Sequence, residues 1–411
     1  MLKYIWKNKI MLILILLSLW LVPQTIGLSE QSQTESIVTA IGIDKNNNEY
    51  EVSLQYIIPN TSNGPEGLKI VSEKGESVGS AIEKIKLQLG KLSGFAHCRF
   101  LAFNDSACEE NFTSLLDFFI RRKTNTNNII LINTPDSAKD LLSMSSKLDS
   151  ELYSFLNNNY SNNELEDFHD LKTVGDYYGS YFSPVKCMVI NSVSIKDNSL
   201  NSSSSNESGS GESSSGSQSS SNSSNSEGQK ELENKGKLLI IKNAKKLLTL
   251  NEEESDNLNL FNPKIKRDNF TVKNYSEGHL KNADILFNVL NKIYSTQAYF
   301  KNGKPYYKIN LKLYVRTGEV ISQNLTQKDY AVLQENFSPK LISKMREEVL
   351  KSLKSAENNF KQNNYDVIDC YAWFLKTKNK ELKEYLKTLK NTEEFIKNVN
   401  FEYNIQFVQS Y

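Results

Sequence analysis

The chain has 411 residues, which is too long for one ordinary domain and suits two or three globular units. Its 49 basic and 48 acidic residues are spread along the sequence and give a net charge of +1. No basic block of the kind that binds a phosphate backbone is present, so nucleic acid is not an expected partner. The hydrophobic content of 38% is enough for folded cores.

The amino terminus has the pattern of an export signal. Lys3, Lys7 and Lys9 precede an unbroken apolar run at 10–22, and no lysine follows in the next ten residues, which predicts an extracytoplasmic body. The run is shorter than the roughly 20 residues of a comfortable transmembrane helix, although extension to Leu28 would lengthen it enough. Retention as an anchor and cleavage near 25–27 both stay open. The expected anchor residues are Ile10, Leu12, Leu14, Leu16, Leu17, Trp20 and Val22.

The first unit is predicted to contain four strands and three helices in the order ββαβαβα. Two apolar runs at 37–44 and 50–57 flank a polar turn, which indicates a β-hairpin. Ser77 and Gly90 are typical of the start and end of a helix whose apolar residues share one face. The remaining predicted elements are strands at 98–103 and 128–133 and helices at 109–120 and 136–142.

A Ser/Asn/Gly/Glu tract at 198–228 interrupts the middle of the sequence and is predicted to be disordered, because it cannot bury a core. One interpretation is an interdomain linker. We favour a long loop within one unit, since the flanks at 185–195 and 237–241 are both strand-like and longer loops close at little extra entropic cost.

The carboxy-terminal part is predicted to alternate helices and strands. The spacing of Leu341, Met345, Val349 or Leu350, and Leu353 predicts one face of a long amphipathic helix. The predicted elements are a helix at 280–295, a strand at 306–316, a helix at 339–363, a β-like run at 365–374, a helix at 379–390 and a strand at 400–408.

Together these elements predict an α+β, multi-domain protein of three mixed α/β units behind an amino-terminal hydrophobic anchor or signal segment. The predicted divisions are a signal or anchor segment at 1–28, an amino-terminal domain at 29–143, a middle domain at 144–262 with the Ser-rich insertion at 197–232, and a carboxy-terminal domain at 263–411.

Four stretches, read in order, resemble the Ger(x)C family of spore germination proteins, the C subunits of germinant receptors. The first is the strand that ends at Asp44, and the second runs from Gly75 through His97-Cys-Arg-Phe-Leu-Ala102 to the helices at 116–121 and 138–142. The third is a strand pair and acidic helix start at 237–253, and the fourth combines 365–372, 379–383 and 401–408.

The resemblance implies a non-catalytic receptor subunit with no cofactor, held at the outer face of the spore inner membrane beside integral-membrane A and B subunits. Binding of a small-molecule nutrient is possible under it but not implied. Family members usually carry a lipobox cysteine after the apolar run, whereas the first cysteine here is Cys98. The apolar segment must then supply the attachment.

The chain offers little catalytic or metal-binding chemistry. His97 and Cys98 are neighbours on a predicted strand, where side chains point to opposite faces and cannot form a catalytic pair. His169 and His279 lack a second ligand at metal spacing. Cys98, Cys108, Cys187 and Cys370 form no CxxC motif, and we expect them to be free, mostly buried thiols rather than a Cys98–Cys108 disulfide.

Five residues are candidates for partner contact. Asp117 and Arg121 have the i, i+4 spacing of a helical ion pair, which is either a solvated surface pair or a subunit contact. Tyr371, Trp373 and Phe374 have the aromatic character of interface hot spots, although such residues more often belong to a core. Asp366 and Asp369 are interpreted as turn or cap residues.

Three functional classes follow from these features. The leading one is a receptor subunit that docks on membrane partners. An independent extracytoplasmic solute-binding or surface adhesion protein is the alternative. An extracytoplasmic hydrolase of envelope polymers is the third, because paired carboxylates come together only in the folded protein.

Overall fold

We describe the fold from a computed structural model at residues 36–58, 68–90, 95–121, 126–147, 171–197, 230–233, 236–278, 280–322, 337–389 and 391–410. The predicted anchor, the Ser-rich tract, His169 and His279 lie outside these residues. The protein is α+β, as the sequence predicts.

The amino-terminal part is built on a five-stranded sheet in the order β3-β2-β1-β4-β5. The first three strands are antiparallel, and β4 and β5 run parallel to β1. The predicted hairpin is confirmed, with Asn47 at its turn in the left-handed conformation that asparagine tolerates. The strands are β1 (Ile37–Asn46), β2 (Glu49–Ile57), β3 (Lys69–Gly75), β4 (Phe100–Asn104) and β5 (Ile130–Thr134).

Five helices accompany this sheet within the described residues. They are α1 (Val78–Leu89), α2 (Asp105–Glu109), α3 (Phe112–Arg121), α4 (Ala138–Lys147) and α5 (Val174–Phe182). The predicted boundaries of α1 are confirmed, since Ser77 caps its start and Gly90, at φ 75°, ends it. The helix predicted at 109–120 is α3, which begins three residues later, and a short helix that was not predicted, α2, precedes it and is capped by Asn104.

Both faces of the sheet are buried. Leu101 and Phe103 point into a core shared with α1 and α3, while Phe100 and Ile132 point into a second core formed with α4. Gly42 permits the close approach of α4, because a Cβ there would lie 3.0 Å from the carbonyl oxygen of Ala138. Continuous apolar runs such as Phe-Leu-Ala-Phe in β4 are the sequence mark of such double coverage.

The middle part is a small antiparallel sheet in the order β10-β9-β6, followed by a helix. A separate pair, β7 and β8, joins the two flanks of the Ser-rich tract in antiparallel register. β6 and β9 are also paired, which agrees with a loop between strands of one unit. The elements are β6 (Cys187–Asn191), β7 (Ser194–Asp197), β8 (Lys230–Glu233), β9 (Leu238–Lys242), β10 (Lys245–Leu250) and α6 (Glu252–Asn259).

This middle sheet joins the two large cores of the molecule. Met188 and Ile190 of β6 belong to the core of the amino-terminal sheet, while Cys187 and Val189 belong to the core of the carboxy-terminal part. The alternation of side chains along a strand therefore buries the sheet on both faces. The proposed domain boundaries stay a prediction.

The carboxy-terminal part is a four-stranded sheet in the order β11-β12-β13-β14, in which β14 is parallel to β13 and the other pairs are antiparallel. Helices cover one face. The elements are β11 (Asp268–Glu277), β12 (Leu280–Lys301), β13 (Lys304–Ile321), α7 (Pro339–Asn363), α8 (Cys370–Thr377), α9 (Asn379–Leu386), a 3₁₀ helix (Thr392–Asn398) and β14 (Asn400–Gln409). The bounds predicted for the long helix α7 are confirmed.

The helix predicted at 280–295 is wrong, because this segment is part of the strand β12. Its buried residues recur at every second position, at Ala283, Ile285, Phe287 and Val289. Apolar residues on the opposite side of the strand complete a spacing that also fits a helix, so the pattern alone was ambiguous. Pairing with β11 and β13 decides the outcome.

The β-like run predicted at 365–374 is also wrong. Residues from Cys370 onward form α8, with Cys370 and Phe374 one helical turn apart and fully buried. The carboxylate of Asp366 accepts hydrogen bonds from the first amides of this helix, which stabilises its start. The helix predicted at 379–390 is shorter and ends at Leu386.

A buried lysine ties α6 to β12. Lys292 is 1% exposed, and its Nζ donates to the carbonyl oxygens of Asn259, at 2.7 Å, and Leu260, at 3.3 Å. These carbonyls stand at the carboxyl end of α6, where a cation complements the helix dipole. Burial lowers the pKa of Lys292 to about 8.

Candidate functional site

The predicted ion pair between Asp117 and Arg121 forms on the outer side of α3. The Nε atom of Arg121 lies 2.8 Å from Oδ1 and 2.7 Å from Oδ2 of Asp117. The side chains are 44% and 78% exposed for Asp117 and Arg121 respectively. The hydrogen bond to Asp117 raises the pKa of the Arg121 guanidinium. The pair therefore lies on the protein surface.

Helix α5 packs beside α3 through aromatic and hydroxyl contacts. The ring of Tyr177 meets that of Phe112 edge-on at 5.0 Å, and its hydroxyl lies 2.6 Å from Oγ1 of Thr113. A capping box between Thr173 and Asp176 fixes the start of α5. These contacts hold α5 against the amino-terminal end of α3, and α5 continues beyond Tyr177 to its carboxyl end.

That end of α5 exposes aromatic side chains. Phe182 is 74% exposed and Tyr181 36% exposed, and their rings are 5.3 Å apart. The half-buried ring of Tyr178 lies 5.8 Å from that of Phe182, and Tyr178 also interacts electrostatically with Arg121. We call these three residues with Asp117 and Arg121 the α3–α5 surface.

The side chains of the α3–α5 surface are of types that protein interfaces favour. Tyrosine and arginine are enriched at interface hot spots, and grouped exposed apolar side chains commonly mark interaction sites. Sequence reasoning missed the aromatic part of this surface. The signal was present, since four of the six residues from Tyr177 to Phe182 are aromatic.

The other predicted contact residues lie elsewhere, in the carboxy-terminal core. Tyr371 and Phe374 are 7% and 0% exposed, and the Phe374 ring meets that of Phe395 at 5.2 Å. Trp373 is half-buried, with the Nζ atom of Lys376 5.4 Å from its ring centre. Since α3 belongs to the amino-terminal core, the structure does not bring the two sets together.

Asp366 acts as a cap, as predicted. Its Oδ1 accepts from the amides of Ile368, at 3.2 Å, and Cys370, at 3.1 Å, and its Oδ2 accepts from Tyr371 at 2.7 Å. Burial raises the pKa of Asp366 to about 6, while these hydrogen bonds oppose the rise. Asp369 stands at the cap position of α8 but makes no hydrogen bond to the helix through its side chain.

His97 and Cys98 are not paired for catalysis, although their placement differs from the prediction. His97 lies in a 3₁₀ turn before β4 and is exposed, whereas Cys98 is buried. Burial raises the pKa of the Cys98 thiol well above its ordinary value, which disfavours the nucleophilic thiolate. All four cysteines are buried and free.

The described residues contain no group of three or more His, Cys, Asp or Glu side chains placed to hold a metal ion. They do contain a pocket of about 190 Å³ at the meeting of three distant stretches. It is lined by Lys172, by Leu258 and 261–264, and by 367–369.

Two family models match the chain in succession. The model described as the spore germination protein N-terminal domain matches residues 30–195, and the model described as spore germination B3/GerAC like, C-terminal, matches residues 235–408. This is a Ger(x)C protein. The chain is accordingly a C subunit of a germinant receptor, and it belongs to a multi-subunit complex associated with the spore inner membrane.

The two matched ranges differ in which features of this Ger(x)C chain they include. The Ser-rich tract falls between the matched ranges, and the α3–α5 surface falls within the amino-terminal one. Ger(x)C proteins are receptor subunits that are generally non-catalytic, which favours the receptor subunit over the independent binding protein and the envelope hydrolase.

Comparison with solved and curated proteins adds one similar structure. The crystal structure of the GerBC protein is 13% identical, with a TM-score of 0.49 over 90% of this chain and 97% of that chain. No curated protein matches the chain. In the part of this Ger(x)C protein that the structure describes, no helix is both long and apolar enough to cross a membrane.

Proposed function

We propose that this C subunit docks on the integral-membrane A and B subunits of the germinant receptor through the α3–α5 surface, and that this docking is required for the response to germinant. The observation that carries the proposal is that two packed helices expose recognition side chains, Tyr181 and Phe182 on α5 and the Asp117–Arg121 pair on α3. Burial of an exposed phenylalanine ring against a partner contributes favourable free energy to binding, and a rigid helix holds the ring in place for it.

The surface combines the two contributions that a specific interface needs. Burial of the aromatic rings supplies affinity, whereas the charges of Asp117 and Arg121 fix orientation and exclude mismatched partners. Both helices are held by buried contacts, so little order has to be gained on binding. The subunit contributes no catalytic group in this proposal.

The amino-terminal segment supports a position at the outer face of the membrane. Lysines precede the apolar run at 10–22 and none follows closely, which favours an amino end in the cytoplasm and a body outside. Retained, the run would hold the α3–α5 surface near the membrane partners.

The docking proposal is tested by affinity capture of the tagged full chain from detergent-solubilised membranes of sporulating cells. Tyr181→Ser with Phe182→Ser, and separately Arg121→Glu, should each reduce recovery of A and B at least about tenfold, because hot-spot truncations commonly have effects of this size. Quantitative mass spectrometry of the captured proteins provides the measurement.

The matched control is Ile321→Ser, which removes an apolar side chain that is 63% exposed at the end of β13. It should leave recovery of A and B unchanged. Circular dichroism melting of each variant checks that the fold persists. Recovery at the wild-type level with both surface variants would exclude the α3–α5 surface as the docking site.

A further inference from the structure

One face of the carboxy-terminal sheet does not enter the core. Side chains alternate along β13, so Ile309, Leu311 and Leu313 are buried while the residues between them stand on the opposite side of the sheet. The strands β12 and β14 continue this side in register. We call it the outer sheet face, and its central row on β13 consists of Tyr306, Lys308, Asn310, Lys312, Tyr314 and Arg316.

Positive charge runs along the middle of the outer sheet face. Lys308, Lys312 and Arg316 recur at every fourth residue of β13, which places them about 13 Å apart. Within the described residues, none of these three cations is held in an ion pair. On the neighbouring strand, the carboxylate of Glu402 accepts from the hydroxyl of Tyr299 at 2.7 Å. The face therefore presents a row of cations that attracts an anionic partner.

Amide side chains occupy the centre of the face. The Nδ2 atom of Asn404, on β14, donates to Oδ1 of Asn310 at 3.1 Å. Gln297 and Gln406 are exposed on the strands to either side of β13. An amide combines donors with an acceptor, as a hydroxyl group does. The centre therefore suits a hydroxyl-rich partner, whereas the centre of a protein interface is commonly apolar.

Tyrosine rings stand towards both ends of the row. Tyr299 and Tyr306 are cross-strand neighbours whose rings stack 5.4 Å apart at an interplanar angle of 11°. Towards the other end, the ring centre of Tyr314 lies 5.2 Å from the Nζ atom of Lys312. Such rings are flat apolar surfaces on which the C–H groups of a sugar ring can pack. Ile293 adds one exposed apolar side chain, far less than a membrane-inserting surface carries.

We propose that the outer sheet face binds an acidic polysaccharide that lies along β13. The carboxylates of the polymer pair with Lys308, Lys312 and Arg316, and its hydroxyl groups exchange hydrogen bonds with the amide side chains. From Tyr306 to Arg316 the strand spans about 33 Å, which accommodates several sugar rings in a row. This binding is independent of docking through the α3–α5 surface, because the two faces belong to different cores.

The test compares an acidic with a neutral hexasaccharide. The labelled probes are hyaluronan hexasaccharide, which carries a carboxylate on every second ring, and chitohexaose, which carries none. Fluorescence anisotropy with the purified full chain in detergent should give a dissociation constant of about 10 to 100 μM for the hyaluronan probe. Chitohexaose should bind at least about tenfold more weakly, because it lacks the charge-assisted contacts. Added salt should weaken the hyaluronan complex and leave chitohexaose binding nearly unchanged.

Two variants address the face itself. Asn310→Asp places a carboxylate between Lys308 and Lys312 and should weaken binding of the hyaluronan probe about tenfold by repulsion. The triple variant Lys308→Gln, Lys312→Gln, Arg316→Gln should weaken it more strongly, because all three charge-assisted contacts are lost. Neither variant should change the weak binding of chitohexaose by more than about twofold, since that probe carries no charge.

The matched control makes the same change in net charge on the helices that cover the other face of the sheet. It is the triple variant Lys351→Gln, Lys354→Gln, Lys380→Gln, at exposed positions of α7 and α9. This control should bind the hyaluronan probe as the wild type does. Circular dichroism melting shows whether each variant keeps its fold, and Asn310→Asp decides the outcome if the triple variant on β13 does not fold.

Four results would overturn the proposal. The first is equal affinity for the two hexasaccharides, and the second is wild-type affinity of Asn310→Asp for the hyaluronan probe. The third is binding of a labelled hexaglutamate peptide as tightly as hyaluronan, which would assign the face to an acidic protein segment. The fourth is failure to bind hyaluronan together with binding to phosphatidylglycerol vesicles that the triple variant on β13 loses, which would assign the face to a lipid surface.

Discussion

The two large sheets of the protein are covered differently. The amino-terminal sheet is packed on both faces, with Leu101 on one side and Ile132 on the other in separate cores. In the carboxy-terminal sheet only one side of β13 enters the core, through residues such as Leu311, while alternate positions such as Asn310 are half-buried and polar. In a sheet covered on both faces, a charged substitution at any strand position enters a core. In a sheet covered on one face, half of the strand positions tolerate such a substitution.

The amino-terminal and carboxy-terminal parts each contain a buried carboxylate that starts a helix, and the two differ in their hydrogen-bond donors. Asp44, at the end of β1, accepts from the Ser137 hydroxyl and from the amides of Ala138 and Lys139. Among the described residues, Asp366 accepts from backbone amides alone, and it too is buried. Both carboxylates thus accept from the first amides of a helix, and Asp44 accepts in addition from a side-chain hydroxyl.

The largest expected effect on stability comes from placing a carboxylate on the amino-terminal sheet. The same change on the carboxy-terminal sheet is the comparison. Ile132→Asp should lower the free energy of unfolding by more than about 4 kcal/mol, because it buries an unpaired carboxylate between β5 and α4. Asn310→Asp should change it by less than about 0.5 kcal/mol, since that position is half-exposed and flanked by Lys308 and Lys312. Urea denaturation of the full chain, followed by circular dichroism, measures both.

Hydrogen exchange then shows which strands each substitution destabilises. Amides of β1, β4 and β5 should lose protection in Ile132→Asp, and those of β13 should keep it in Asn310→Asp. Equal destabilisation by the two substitutions would contradict the difference in coverage.

A smaller effect, of about 3 kcal/mol, is expected from the charge of Asp366. Its pKa is about 6 in the folded protein against 3.8 in the unfolded chain, and each unit corresponds to about 1.4 kcal/mol. The associated stability is therefore fully present below pH 3.8 and is lost as the pH rises through 6.

Asp366→Asn removes this dependence while keeping one acceptor oxygen for α8. The variant should gain stability relative to the wild type between pH 4 and pH 7.5, by up to about 3 kcal/mol. Unfolding free energies of both proteins across this range provide the measurement. Parallel curves would mean that Asp366 does not titrate there.

The smallest of the three effects concerns Asp44. Asp44→Ala should cost about 2 kcal/mol, because it leaves the first amides of α4 without an acceptor at a buried position. Asp44→Asn keeps one oxygen and should cost about half as much. Hydrogen exchange at α4 reports the change, and equal protection in all three proteins would argue against a capping role.

Much of the fold followed from local pattern. The hairpin of β1 and β2, the helix α1 between Ser77 and Gly90, and the long helix α7 are strongly periodic and carry their own turn or cap residues. The prediction for the β12 segment was wrong because the segment is apolar on both sides, so the strand period and the helix period fit it equally well. The prediction for α8 was wrong because the start of this helix depends on the buried carboxylate of Asp366.

The ion pair of the α3–α5 surface was predictable from the sequence, whereas its aromatic part was not. Asp117 and Arg121 pair because four residues along one helix bring them together, and no other element is required. The aromatic residues of α5 lie on a helix that contacts α3 only because Tyr177 packs on Phe112 and Thr113, which are far away in the sequence. The pocket at Asp369 was not predictable at all, since three distant stretches line it.

The sequence by itself determined the α+β character, the ordered motifs of the Ger(x)C family and the helices whose caps and periodicity are local. Only the tertiary structure decided that the middle sheet is shared by two cores, that one large sheet is covered twice and the other once, and which aromatic side chains remain exposed. The physical reason is that periodicity and capping act within a few residues, whereas burial depends on what packs against each face.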